Sequence, residues 1–439
     1  MASTPGALTG YRVLDLCDDK GVLCTKILAD LGADVMIIEP PGGAVTRSRG
    51  PFYHDRAQPE SSLFFWYFHA NKRSLTLHLE TPDGQALCQT LVKTADVLVE
   101  TFPPGYLDRL GPGYTDLRVF HPGLVMTSIT GFGSTGAYCH YKAPDLVGLA
   151  MGGLMYLCGE PEGAPVPPGG QQGDHLAALN GVAGPLIALW HRELTGVGQH
   201  VDGSMQAAVA NTLETTHQTY DFNRNIRSRF GHKREGAAYI VPCQDGYVAL
   251  ICASKLGWPQ LVQWMQDEGG GESVSDTRLV DDIYRFEHDA DFTEQEWTAL
   301  CGAMGHPSWA HEGRFSTLRG RLQHVDDLDR LLATWTTQHP PEEVIHRLQA
   351  VGVAAGVVQN ARDLLEHDPQ LRQRGHYHLL NHSVTGPTLY MGPAFTLSAT
   401  PACLRPAPCL GQHNAYVYGQ LLGISAADIA QYTQGKVFY

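Results

Sequence analysis

The feature that most restricts the fold is a regular alternation of short apolar runs and helix-spaced segments over the first 130 residues. Tyr11-Arg-Val-Leu-Asp-Leu-Cys17 reads as a strand, Gly21 to Leu31 carries apolar residues at helical spacing, and Ala33 to Glu39 reads as a second strand. The βαβ unit is then continued: Ser74 to Glu80 as strand, Pro82 to Lys93 as helix, and Asp96 to Glu100 and Gly123 to Thr130 as strands. Parallel strands need long crossovers, and helices making those crossovers cover both sheet faces. The pattern therefore predicts an α/β chain with a mainly parallel, doubly wound sheet. Beyond residue 145 it changes to Ala/Leu/Gly-rich helical stretches at about 145–158, 174–194 and 202–218.

A length of 439 residues is enough for two or three domains. We expect a large domain over 1–200, completed by about 390–439, because the last stretch is too small to fold alone. Residues 201–235 are expected as a linker helix and loop, since YDFNRNIRSRFGHKREGAA is polar, basic and without period. A small α+β domain is expected over 236–340, opening with a hairpin around Gln244-Asp245-Gly246 and including a surface loop at Gly269 to Ser275. Residues 341–389, with a helix at Pro340 to Ala350, are expected to return the chain.

A net charge of −14 argues against a nucleic-acid partner, since a phosphate backbone demands a concentrated basic face. No apolar run approaches the roughly 20 residues of a membrane span, and MASTPGALTG lacks the basic and apolar regions of a signal peptide. The expectation is a cytoplasmic chain with no membrane contact. Its 10 cysteines show neither C-x-x-C nor a spaced Cys/His quartet, so reduced thiols are expected, with neither a metal site nor a disulfide frame.

Three groups of residues suggest chemistry. Gly131-Phe-Gly133-Ser-Thr-Gly136 is formally G-x-G-x-x-G after a strand, but it runs into Tyr141-Lys-Ala-Pro144, a poor helix start; the first βαβ turn, Cys17-Asp18-Asp19-Lys20-Gly21, carries two acids. Neither suits a dinucleotide pyrophosphate, which must meet a helix N-terminus. Lys72, Arg73, Arg109 and Lys142 stand at turns near strand ends, as phosphate contacts or as solvated surface charge. Asp174, in Gln171-Gln-Gly-Asp174-His175, precedes a long apolar helix and reads most simply as its N-cap.

Taken with Leu31-Gly-Ala-Asp34 to Glu39-Pro-Pro-Gly-Gly43, Asn71-Lys-Arg-Ser74, Phe102-Pro-Pro-Gly105, Thr195-Gly-Val-Gly-Gln199, Val351-Gly-Val-Ala-Ala-Gly356 and Leu410-Gly-Gln-His-Asn414, these groups resemble the family III CoA-transferases. That CaiB/BaiF type includes formyl-CoA transferase, carnitine CoA-transferase and α-methylacyl-CoA racemase. The resemblance implies a Rossmann-like large domain built from both chain termini, a smaller domain between, and an interlocked homodimer, or a heteromer with a related subunit. It implies that Asp174 is the catalytic nucleophile and that Lys72, Phe102, Arg109, Lys142 and Met205 contact coenzyme A. No tightly bound cofactor is implied; acyl-CoA and a small carboxylate are the substrates.

The reaction implied is attack of a carboxylate on a thioester, giving a mixed anhydride and then an aspartyl-CoA thioester that the acceptor discharges. The alternatives are a CoA-thioester racemase or isomerase, and a CoA-binding subunit of a heteromeric transferase. The racemase branch has a His where this chain has Pro144, which cannot move a proton. Retention of Asp174 favours an active subunit. The acidic first turn, Thr101 in place of the usual Asn, and the absence of a Gly-rich lid around Gly231 to Gly236 weigh against oxalate or formate.

Overall fold

The computed structural model describes residues 5–111, 113–229, 233–234, 238–251, 294–316, 321, 324–351 and 353–438. The chain divides into two compact units, one of Met1–Tyr156, Pro167–Arg227 and Pro369–Tyr439, the other of Leu157–Val166 and Ser228–Asp368.

Six parallel strands form the centre of the first unit: β1 (Arg12–Leu16), β2 (Asp34–Glu39), β3 (Arg73–Thr76), β4 (Val97–Glu100), β5 (Val125–Thr130) and β6 (His200–Ser204), in the order β3-β2-β1-β4-β5-β6. Val13 lies opposite Val35 on one side and Val97 on the other, so β1 is central and the order reverses at the β1/β4 boundary. In an open α/β sheet a ligand crevice lies beyond the carboxyl ends of the strands at such a switch point. The expectation of a doubly wound parallel α/β sheet is met. The sixth strand replaces the start of the helix expected at 202; its sequence HVDGS lacks apolar alternation because it lies on the edge and is only half-buried.

Because side chains alternate across a strand, each face has its own core. Val13, Val97, Val99, Val125 and Ile129 pack with helices α1 (Val22–Asp30) and, later in the chain, the long helix Gln172–Thr195. Leu14, Leu16, Met36, Leu98 and Met126 meet residues of helix Pro82–Val92 and Val417, Tyr418, Val437 and Phe438 from the end of the chain. Tyr418 stacks on Phe438 at 3.9 Å and donates from its hydroxyl to the Thr76 carbonyl at 2.6 Å, so the chain end seals the sheet. On the opposite face Gly181 permits the long helix to lie close: a Cβ there would come within 2.4 Å of Ile129 Cδ1.

The second unit contains an antiparallel sheet in the order β10-β9-β8-β7, from β7 (Lys233–Arg234), β8 (Ala238–Pro242), β9 (Tyr247–Ile251) and β10 (Ala354–Val357). The β8/β9 hairpin turns at the expected Gln244 to Gly246. Because β10 pairs with β9, this unit runs through helix Pro341–Ala350 and on to Asp368. Val248, Leu300, Phe315, Leu328, Leu332, Val344 and Leu348 form its core. The loop expected at Gly269 to Ser275 lies outside the described residues.

Candidate active site

The long helix brings Asp174 to the site but does not use it as a cap. Gln171 holds the capping position without a side-chain cap bond, and Asp174 lies in the first helical turn, three residues on. There the helix dipole still favours a negative charge. The residue is only 3% exposed. Its backbone N–H donates to Asp145 Oδ1 at 3.0 Å, and its Oδ2 accepts from the Gln171 amide at 3.2 Å. Oδ1 is buried and has no hydrogen-bond partner among the described residues.

Asp145 is the first residue of the helix Asp145–Met151, and Gly173 lets that helix come near. A Cβ on Gly173 would lie 3.1 Å from both Asp145 Oδ1 and Met205 Sδ. The position is thus set by the absence of a side chain next to the acid. Burial is the main cause raising the Asp174 carboxyl from its ordinary 3.8 to about 7; Asp145, Asp19 and Asp18 add to the rise and Lys20 opposes it. At neutral pH the group is therefore poised between carboxylic acid and carboxylate.

The acidic turn after β1 belongs to this neighbourhood. Asp18 pairs with Lys20, and its backbone N–H donates to Thr101 Oγ1 at 2.7 Å, tying the first turn to the end of β4. Asp19 pairs with Arg49, and the Gln171 amide also helps hold it ionised against a burial that raises its pKa. The backbone N–H of Phe102 donates to Glu100 Oε2 at 2.6 Å. Burial lifts Glu100 to about 7.

The residues expected at coenzyme A are placed unequally. Phe102 is half-buried and stacked on Tyr106 at 4.5 Å, while Arg109 is exposed with its guanidinium 5.3 Å from the Tyr106 ring. These three cluster after β4. Lys142 is exposed in the loop three residues ahead of Asp145. Met205 is fully buried at the start of the helix that follows β6, with its sulfur against Gly148 and Gly173.

Lys72 departs from the expectation of a phosphate contact. Its Nζ is buried and bonds to Asp15 Oδ2 at 2.8 Å and Thr25 Oγ1 at 2.7 Å, with the neutral His69 ring at 3.2 Å. A phosphate cannot reach this ammonium, whose charge already answers Asp15 beneath the β1–α1 turn. Nor does His175 act with Asp174: its ring turns to Phe68, 5.9 Å away. The Gly131–Gly136 segment is a loop after β5 in which Gly133 and Ser134 donate backbone N–H bonds to Thr130 and Asp202, and it opens no helix.

Sequence reasoning missed Gln171, Arg49 and the acceptor role of Asp145. Only the first stands in the same segment as Asp174, and nothing in a lone Gln marks its partner. Among the described residues no group of three or more His, Cys, Asp or Glu is arranged to hold a metal ion.

Known proteins resemble the chain over nearly its whole length. The model of CoA-transferase family III matches residues 8–295 and 290–414. Succinyl-CoA--D-citramalate CoA-transferase of Chloroflexus aurantiacus is 32% identical over 99% of this chain and 98% of its own length. Formyl-CoA:oxalate CoA-transferase of Streptomyces avermitilis is 32% identical over 96% and 97%. A crystal structure of a CaiB/BaiF family protein from Brucella suis superposes with a TM-score of 0.80 at 27% identity, covering 95% of this chain and all of that one. A family match spanning nearly the whole chain, on a parallel sheet of the same fold, makes this protein a member of CoA-transferase family III.

Proposed function

We propose that the protein moves coenzyme A from an acyl-CoA thioester to a small carboxylate through covalent intermediates on Asp174. The observation that carries this reading is the Asp174 carboxylate itself: buried, in the first turn of a long helix, with Oδ1 free of hydrogen bonds among the described residues. Most buried polar side-chain atoms have a hydrogen-bond partner, so a bare oxygen at that depth supports a reactive role. A nucleophile needs one bare.

In the proposed cycle Oδ1 attacks the thioester carbonyl and expels CoA thiolate, forming a mixed anhydride. The thiolate attacks Cγ and releases the donor acid, leaving aspartyl-CoA; the acceptor carboxylate attacks Cγ in turn, and the thiolate then takes the acceptor acyl group. Each step exchanges one leaving group for another of similar quality. Dividing the transfer in this way replaces one difficult exchange by several with lower barriers.

Phe102, Arg109 and Lys142 are assigned to coenzyme A, the two cations serving its phosphates against a net charge of −14. Met205 is assigned to packing beneath the acid. Succinyl-CoA, named for the Chloroflexus aurantiacus relative, is the first donor to try. Racemisation is disfavoured by Pro144 at the capping position of the Asp145 helix. We also propose a cytoplasmic, interlocked homodimer, or a heteromer with a related chain. Ile187, Trp190 and Leu194 on the long helix, each 67–68% exposed, support burial against another subunit.

The test is a screen of purified chain against donor thioesters and acceptor carboxylates, read as new acyl-CoA masses, alongside Asp174→Ala. Transfer by the parent chain and its loss in a soluble variant are expected. Near-normal transfer by Asp174→Ala would refute the assignment.

A further inference from the structure

We propose that Gln171 is a second catalytic residue, the donor that stabilises the oxyanion formed each time Cγ of Asp174 is attacked. The inference rests on Asp174 being the nucleophile and assigns a role to its other oxygen.

The two oxygens of Asp174 differ. Oδ1 has no partner among the described residues, whereas Oδ2 accepts from Gln171 Nε2 at 3.2 Å. The orientation of the amide follows from its neighbours. In the carboxylate form, the one that attacks, Asp174 only accepts, so the NH2 end faces its Oδ2. Gln171 is free to serve in this way because it caps the helix by its backbone position and makes no side-chain cap bond. The N–H of Asp174 is already given to Asp145 Oδ1 at 3.0 Å, and Lys20 is paired with Asp18.

The electron count then separates the steps. When Oδ1 attacks the thioester, Oδ2 passes from a shared carboxylate charge to a neutral carbonyl oxygen, so a donor on Oδ2 gives no help. When CoA thiolate attacks Cγ of the anhydride, the carbonyl pair moves onto Oδ2 as a full negative charge. It returns as the Cγ–Oδ1 bond breaks and the donor acid leaves with Oδ1. When the acceptor carboxylate attacks Cγ of aspartyl-CoA, Oδ2 again takes the full charge and thiolate departs. In both, the Gln171 bond is stronger in the transition state than in the carbonyl state before it, the condition for catalysis. Gln171 therefore speeds loading and discharge of CoA on Asp174, and not the first acylation.

The experiment uses the full chain and Gln171→Leu, which keeps the bulk and removes the donor, with Gln171→Glu as a second variant that places an acceptor against Oδ2. Each protein is incubated with succinyl-CoA, or with the best donor from the screen, for hours without acceptor. It is then freed of small molecules and mixed with acceptor carboxylate. Peptide mass spectrometry follows aspartyl-CoA on Asp174. Both variants should load and discharge about 10²–10³-fold more slowly than the parent, with the KM for donor unchanged. Discharge within a few-fold of the parent rate would overturn the role of Gln171. So would complete failure of a folded, donor-binding variant to load. If the parent chain itself carried no adduct at Asp174 while transferring CoA, the nucleophile assignment would fall, and the role of Gln171 with it.

Discussion

Replacing Asp174 by Asn should make the protein more stable at alkaline pH while abolishing transfer. The folded carboxyl titrates at about 7 against an ordinary value of 3.8. Between those values the folded chain holds a proton that the unfolded chain has lost. The stabilising contribution is therefore complete below about pH 3.8 and is lost as pH rises through 7. Above pH 8 the buried anion costs about 4 kcal/mol relative to its unfolded state, at about 1.4 kcal/mol per pH unit of displacement.

Asn has nearly the same shape and no charge to desolvate, and its carbonyl can still accept from Gln171. For a unit of roughly 300 residues, a gain of that size corresponds to a Tm rise of about 6 °C. Thermal unfolding of both proteins from pH 4 to 9 should show nearly coincident Tm values at the acid end and a gap that widens from there and levels off above pH 7, in favour of Asp174→Asn. A Tm difference that stayed constant over that range would refute the buried, proton-holding Asp174. A nucleophile that destabilises its own fold is expected of an active site.

Asp145→Asn removes the neighbouring charge but keeps an acceptor for the Asp174 N–H, so the acid limb of the kcat profile should fall by about one pH unit; an unmoved limb would show that burial acts alone. Lys72→Met should cost about 3–5 kcal/mol in denaturant unfolding, because Asp15 is left buried and unpaired, with little change in KM for acyl-CoA among folded molecules. A raised KM with unchanged stability would instead return Lys72 to the phosphates. Arg109→Ala and Lys142→Ala should each weaken acyl-CoA binding by about 1–3 kcal/mol, less at high salt; titration calorimetry showing no change in either would make them ordinary surface charges.

The strands β1, β2, β4 and β5 were legible because a parallel strand covered on both faces is written as a continuous apolar run, and the helices between them as a helical period. β3 ends at Thr76, four residues before its apolar pattern suggested, since the chain must leave the sheet to let His78 donate its N–H to the Val437 carbonyl at 2.8 Å. That partner lies over three hundred residues away and left no local signal. β6 was missed for a related reason, its edge position excusing it from the apolar pattern.

Within the site, the resemblance of the motifs singled out Asp174, whereas local pattern alone suggested a helix cap. The sequence by itself determined the parallel core of the sheet at β1, β2, β4 and β5, the helix that carries the acid and the absence of a pyrophosphate turn, since these follow from periodicity and turn chemistry within a few residues. Only the tertiary structure decided that Lys72 is spent on Asp15, that Asp145 receives the Asp174 N–H, and that one carboxylate oxygen is bonded and the other bare. Burial and hydrogen-bond partners are properties of chain segments brought together by folding, and so is the pKa they set.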